Sequence, residues 1–316
     1  MKVIILGVVS QYENNEPELK MDIKTLITLK EYQLIDSVPA SFQSLKLITK
    51  ANTELIQSIY DSKPTLKEGE IFIETLSIKI LLATKSIIEL GKGTKVSALT
   101  KNNNVKLLDF PSINILTRSI IEAFLTLEYL FFNNLTEEER KFRFYIWQIS
   151  GYKSRQNFFN ERGELKENVT EKLKTELSEI KRLNNEIKKS KYYRTIKKQS
   201  LYKLDTYGLP RLESWSKLLK QSVLKTSIFE TSYKLYSNYA HSEFISLIQM
   251  KGRGILNKGT KENDDAILNA LRVVKMINCI SIIGLKNKFD FASKVFEKYD
   301  EVTKTTILFW NEFGIE

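Results

Sequence analysis

The stretch Pro111-Ser-Ile-Asn-Ile-Leu-Thr-Arg-Ser-Ile-Ile-Glu-Ala-Phe-Leu-Thr-Leu-Glu-Tyr-Leu-Phe-Phe-Asn133 decides how this chain folds. Proline then serine is a helix-opening pair. The twenty-one residues that follow hold no glycine and no further proline. Ile113, Leu116, Ile120, Phe124, Leu127 and Phe131 make one face, and Ile115, Ile121, Leu125 and Leu130 carry the apolar character round the others. A helix that is apolar on nearly every side belongs inside a body of other helices, so 112–133 is expected to be the most buried helix. It breaks its own rule at Arg118 and Glu122, which stand four residues apart on one face.

The rest of the chain supplies the helices to surround it. Twelve glycines and five prolines in 316 residues leave few tight connections, which favours long helices over short strands. Apolar residues recur with helical spacing over 18–36, 40–62 and 67–90, the last closed by Gly91-Lys-Gly93. Thr136 is placed to cap a helix that runs from an acidic start, through Trp147, to about residue 160. Beyond Tyr207-Gly-Leu-Pro210 come a short helix near Trp215, a helix over 227–250, and two more over 262–286 and 289–312. The expected fold is an all-α multi-helix bundle, with an N-terminal helical segment over 1–65 and a helical core over 66–316.

Residues 162–205 interrupt that pattern. Leu165, Val169, Leu173, Leu177, Ile180, Leu183 and Ile187 form a narrow stripe among charges, as in a hairpin arm or coiled coil. The span is read as a protruding charged helical hairpin inserted in the core. From Lys181 to Lys203 there are nine basic residues and one acid, +8 of a total net charge of +11. Tyr192, Tyr193 and Tyr202 are interleaved. Basic residues release counterions from a phosphate backbone and aromatic rings stack on bases, so Lys188, Lys189, Lys191, Arg194, Lys197 and Lys198 are the expected contacts to RNA or another polyanion. A solvated basic face, or a surface for a partner protein, explains the same composition.

Several classes are excluded by what is missing. One cysteine, Cys279, rules out a disulfide framework and fits a reducing cytoplasm. One histidine argues against a zinc hydrolase, and no metal site or cofactor is expected. There is no Walker loop or dinucleotide fingerprint. The apolar N-terminal stretch is short for a signal peptide, no other run reaches the ~20 residues of a membrane span, and no membrane association is expected.

The one histidine, His241, lies in Tyr233-Lys-Leu-Tyr-Ser-Asn-Tyr-Ala-His241. On a continuous helix Tyr233, Ser237 and His241 share one face. This stripe and the Arg118/Glu122 pair are both polar minorities on apolar helices. If the helices pack together the minorities should meet, because each needs partners in a dry interior. An arginine that stabilises phosphoryl charge beside an imidazole that moves protons is suited to RNA cleavage.

Arg118-Ser-Ile-Ile-Glu122 on one helix and Ser237-Asn-Tyr-Ala-His241 on a later one resemble a bacterial helical family, domain-of-unknown-function family 5677. Its pattern is Arg-x-x-x-Glu followed by Ser-x-x-x-His, and the likeness covers about residues 70–250. That family is thought to be distantly similar to the HEPN superfamily, many of whose members are RNases of toxin and phage-defence systems. HEPN nucleases carry arginine and histidine on one helix. Here the nearest upstream basic residue is Lys234, so the guanidinium has to come from Arg118 on another helix.

The resemblance implies a metal-independent endoribonuclease, a HEPN-like effector of phage defence or a toxin system. His241 would be general acid or base, Arg118 would stabilise phosphate charge, and Glu122 would orient Arg118. Ser237 or Tyr233 would hold the imidazole. Two other readings stay open: a non-catalytic binding module, and a sensor of a nucleotide-like ligand. In both, the same residues form a structural polar network, and self-association is compatible with all three.

Overall fold

The computed structural model describes residues 27–30, 32, 37–95, 106–160, 166–253 and 261–316. The N-terminal apolar stretch and most of the helix expected over 18–36 lie outside them.

The described residues fold as a helical bundle. Its helices are α1 (Val38–Ser62), α2 (Ile71–Leu90), α3 (Phe110–Leu127), α4 (Glu137–Asn160), α5 (Glu167–Lys189), α6 (Lys198–Thr206), α7 (Trp215–Gln221), α8 (Thr226–Ala240), α9 (Phe244–Arg253), α10 (Lys261–Lys288), α11 (Asp290–Glu297) and α12 (Glu301–Gly314). A two-residue antiparallel pair, Thr94–Lys95 with Lys106–Leu107, joins the chain between α2 and α3.

Local signals set most of these boundaries. Ser37 caps α1 by accepting from the Ala40 N–H at 3.4 Å, with Pro39 in the first turn. Asp109 caps α3 by accepting from the Ser112 N–H at 3.1 Å, and Thr136 caps α4 through the Glu139 N–H at 3.2 Å. Gly91 is right-handed (φ −62°), so it is not the left-handed cap expected there; Gly93, at φ 80°, turns the chain instead.

The helix expected to be the most buried has an equal in α10: Ile120, Ile121, Ala123, Phe124, Leu125 and Leu127 of α3 are buried, with Ile115 exposed, and so is every residue of α10 from Val273 to Ile282. α10 lies between α1, α3 and α12, so it has a neighbour on every side. It is also long and apolar enough to cross a membrane by length and composition, which the sequence reading did not see, but most of its apolar stretch is buried inside the bundle. The last expected helix is two, because Asp300 caps a new start by accepting from the Thr303 N–H at 2.9 Å and hydroxyl at 2.8 Å. The helix over 227–250 is broken at His241.

A buried polar chain ties the centre together. Asn52 of α1 donates to Asn278 of α10 at 2.9 Å, and Asn278 donates to Thr84 of α2 at 2.9 Å. Asn278 also donates to the Val274 carbonyl at 2.9 Å, so its amide is satisfied on both sides, whereas Asn52 Oδ1 has no partner among the described residues.

The charged excursion is not a bare arm. α5 packs on α4, and α6 closes over both. Phe142, Ile146 and Ile149 of α4 meet Ile180, Leu183, Ile187, Ile196 and Leu204 in a second, smaller core. Ile180, Leu183 and Ile187 of the narrow stripe form its seam, while Leu177 stays exposed and Leu165 lies outside the described residues.

Candidate active site

α3 and α8 pack against each other, and their polar minorities meet. The Arg118 Nε–H donates to Glu122 Oε1 at 3.0 Å, one helical turn away. Its Nη1 lies 3.1 Å from His241 Nε2, and its Nη2 donates at the longer distance of 3.5 Å to the Tyr233 hydroxyl. The Tyr233 hydroxyl in turn donates to Glu122 Oε1 at 2.9 Å. The guanidinium carbon sits 5.4 Å from the centre of the Tyr233 ring, within cation–π range. Arg118, Glu122 and Tyr233 thus form a closed triangle with His241 at its outer corner.

A guanidinium only donates, so its contact with His241 is a hydrogen bond in the tautomer whose Nε2 accepts and whose proton sits on Nδ1. Burial pulls the Arg118 guanidinium down, but bonding to Tyr233 and Glu122 outweighs it and holds the group above its ordinary value. Burial and the bond to Glu122 together raise the Tyr233 hydroxyl. The triangle therefore stays arginine-positive with a neutral tyrosine.

His241 reaches Arg118 from a helix end rather than from mid-helix. It is the C-terminal cap of α8, with φ −103° and ψ 4°. Ser242 follows at φ 53°. The Glu243 N–H then reaches back to the Asn238 carbonyl at 2.9 Å and the Ser242 N–H to the Tyr239 carbonyl at 3.3 Å. These two bonds are those of a Schellman stop, unusual here in having serine at the left-handed position. The break leaves His241 exposed to solvent.

Ser237 does not join the cluster's bonds. Its hydroxyl donates to the Tyr233 carbonyl of its own helix at 2.7 Å, the ordinary back-bond of a helical serine. Tyr233 does not bond the imidazole either; it binds Glu122. The residue that holds His241 is Arg118.

Arg211 is a participant the sequence reading passed over. Gly208 turns the chain at φ 84° against Ser150, where an added Cβ would stand 2.8 Å from the Ser150 Cα. This delivers Arg211 onto the Trp215 ring, its guanidinium carbon 3.5 Å from the ring centre. Its Nε is buried and has no hydrogen-bond partner among the described residues. Burial lowers its proton affinity, while the nearby Glu122 and Tyr233 favour its charge. The cue was Pro210-Arg211-Leu-Glu-Ser-Trp215, a cation four residues from an aromatic just after a turn.

Lys188, Lys189, Lys191, Arg194, Lys197 and Lys198 are all exposed, strung from the end of α5 through a 3-10 turn (Lys191–Thr195) into α6. Lys189 pairs with Glu186 at 2.7 Å and Lys191 with Glu138 at 3.4 Å. The other four make no ion pair among the described residues. The turn is anchored to the start of α4, with the Tyr192 and Thr136 hydroxyls 3.2 Å apart. Among the described residues no group of three or more His, Cys, Asp or Glu could hold a metal ion.

No curated protein and no solved structure matches the chain. One family model does, over residues 75–254, more than half of the chain, from within α2 through α9, including α3 and α8 that build the Arg118–His241 cluster. The chain belongs to that family, a family of unknown function (DUF5677).

Proposed function

We propose that this protein is a metal-independent endoribonuclease, a HEPN-like bacterial effector of phage defence or a toxin system. The observation that carries the reading is a solvent-exposed imidazole whose Nε2 lies 3.1 Å from an anchored guanidinium. An RNA phosphate would displace the imidazole as the acceptor of Arg118 Nη1, since anionic oxygens bind a guanidinium more strongly. That frees Nε2 to take the proton of the 2′-hydroxyl as its oxygen attacks phosphorus. The 2′-oxygen–phosphorus bond forms, the bond to the 5′-oxygen breaks, and that oxygen takes a proton from solvent. Arg118 neutralises the charge that builds on the phosphoryl oxygens. Glu122 and Tyr233 keep the guanidinium in place, and the exposed lysines from Lys188 to Lys198 hold the rest of the strand.

One observation favours the non-catalytic module instead: Arg118, Glu122 and Tyr233 already satisfy one another, as a structural network does. His241→Ala separates the two. As general base His241 is worth roughly 10²–10⁴ in rate, and because the side chain is exposed its loss should leave melting nearly unchanged. The measurement is cleavage of an unstructured RNA, with a melting curve on the same sample. A variant that melts earlier but cleaves as fast as the parent rejects the catalytic assignment.

A further inference from the structure

α3 does not end cleanly. It passes into a π-helical turn, Glu128–Phe132, closed by the Asn133 N–H on the Glu128 carbonyl at 3.1 Å. Such turns are rare and gather at functional sites. Glu128 and Asn133, its two ends, line a cavity of about 290 Å³ together with Tyr129, Arg143, Gln221 and Ser222. Glu128 is only 4% exposed. Oε1 accepts from the Val223 N–H at 2.8 Å, and among the described residues no lysine or arginine pairs with the carboxylate.

The one cation among the described residues of the cavity wall is already engaged. Arg143 of α4 binds Glu139 at 2.6 Å and the Tyr129 carbonyl at 3.0 Å, and lies 4.3 Å over the Tyr129 ring. The Tyr129 hydroxyl is raised by burial. The chain from α7 towards α8 brings only amide and hydroxyl groups, from Gln221, Ser222 and the Val223 backbone. A carboxylate buried beside a cavity without a counter-ion is costly unless something else supplies one.

We propose that this cavity binds a small organic cation of the guanidinium or amidinium class, with Glu128 as its counter-ion. Two parallel N–H groups fit the two carboxylate oxygens, and Oε1 keeps a second lone pair after Val223. Asn133, Gln221 and Ser222 supply acceptors for the remaining N–H groups. The volume is at the lower edge of ligand pockets, roughly 300–1,000 Å³, and so admits a base-sized group rather than a nucleotide. Burial pushes the Glu128 carboxyl up to about 7, so the empty site would shed part of its charge by taking up a proton, and a cation would replace that proton.

Methylguanidinium titrated into the full chain, followed by ligand-observed NMR, tests this without any assay of RNA cleavage. Binding is expected, with at least a tenfold loss in Glu128→Gln, which retains an acceptor for Val223. Methylurea, neutral and of similar shape, should not bind. Affinity should rise about tenfold from pH 6 to pH 8, as the carboxyl ionises. No binding at tens of millimolar, equal binding to Glu128→Gln, or binding of methylurea overturns the proposal. If Glu128→Gln does not fold, a flat pH profile for the parent does so. N-acetyl-argininamide run in parallel locates the source of the cation. Binding as tight as methylguanidinium points to an arginine side chain, and weaker binding to a free small molecule; either supports the site.

Discussion

Arg118 and Lys275 are both cations set into apolar helices, and the fold treats them in opposite ways. Arg118 has a carboxylate one turn away, a tyrosine hydroxyl and an imidazole, with its side chain 17% exposed. Lys275 of α10 is fully buried. Its ammonium has the face of Trp310 at 3.7 Å and the Ser41 hydroxyl at 3.3 Å, and no carboxylate among the described residues. Burial pulls it down to about 7, against an ordinary value of 10.5. An arginine cannot escape its charge in this way, so a buried arginine needs partners, whereas a buried lysine can become neutral. The contrast separates a cation kept charged at a surface corner, fit to meet an anion, from one that the core tolerates by letting its proton go.

The sharpest way to break this contrast is to remove the kept charge. Arg118→Ala should lower RNA cleavage by roughly 10²–10³-fold, the usual loss when one donor to a developing oxyanion is removed. Glu122 keeps its bond from Tyr233, so the bundle should still fold. Cleavage at the parental rate would place Arg118 with Lys275, as a residue of structure alone.

Next in size is the core lysine, read as stability against pH. The folded protein binds fewer protons at Lys275 than the unfolded chain between about pH 7 and the unfolded lysine value near 10.4. Stability therefore gains a contribution that rises with pH across that window and is flat below it. Lys275→Met should remove that slope and stabilise the protein at pH 7 by about 1–4 kcal/mol, as replacing buried charge by apolar volume often does. Chemical denaturation at pH 6.5, 8 and 9.5 checks both. A less stable variant with the parental slope would mean that Lys275 makes a charged interaction of real worth.

How much of this was legible in the sequence follows the same division. The bundle was, because helical spacing and scarce glycine act locally, and so were caps such as Thr136. The meeting of Arg118 with Tyr233 and His241 was legible by elimination: polar minorities on two apolar helices have few other places to go. What was hidden depends on neighbours. Lys275 looks like any lysine until Trp310 and Ser41 are brought beside it from distant elements. Arg211 needed the Gly208 turn and Trp215. Glu128 was visible as a polar residue, but nothing local predicts a π-helical turn or a cavity beside it. The expectation that Ser237 or Tyr233 would hold the imidazole failed because the helical serine has a nearer acceptor in its own backbone and the tyrosine has one in Glu122.

The break after His241 was hidden for a related reason, and it gives the smallest test. No glycine or proline marks residues 240–243, yet Ser242 is left-handed at φ 53°. A residue with a Cβ pays roughly 1–2 kcal/mol there. Glycine avoids that cost but loses about 0.5–1 kcal/mol of it again through the freedom of the unfolded chain. Ser242→Gly should thus stabilise the protein by about 0.5–1 kcal/mol, seen as a small rise in Tm. The Schellman bonds from Ser242 and Glu243 use backbone atoms only, so the turn survives and His241 keeps its place beside Arg118. Cleavage should then match the parent. Unchanged stability with lost cleavage would instead mean that the serine hydroxyl itself meets the substrate. The catalytic corner would then extend one residue beyond the histidine, away from the paired triangle and towards solvent.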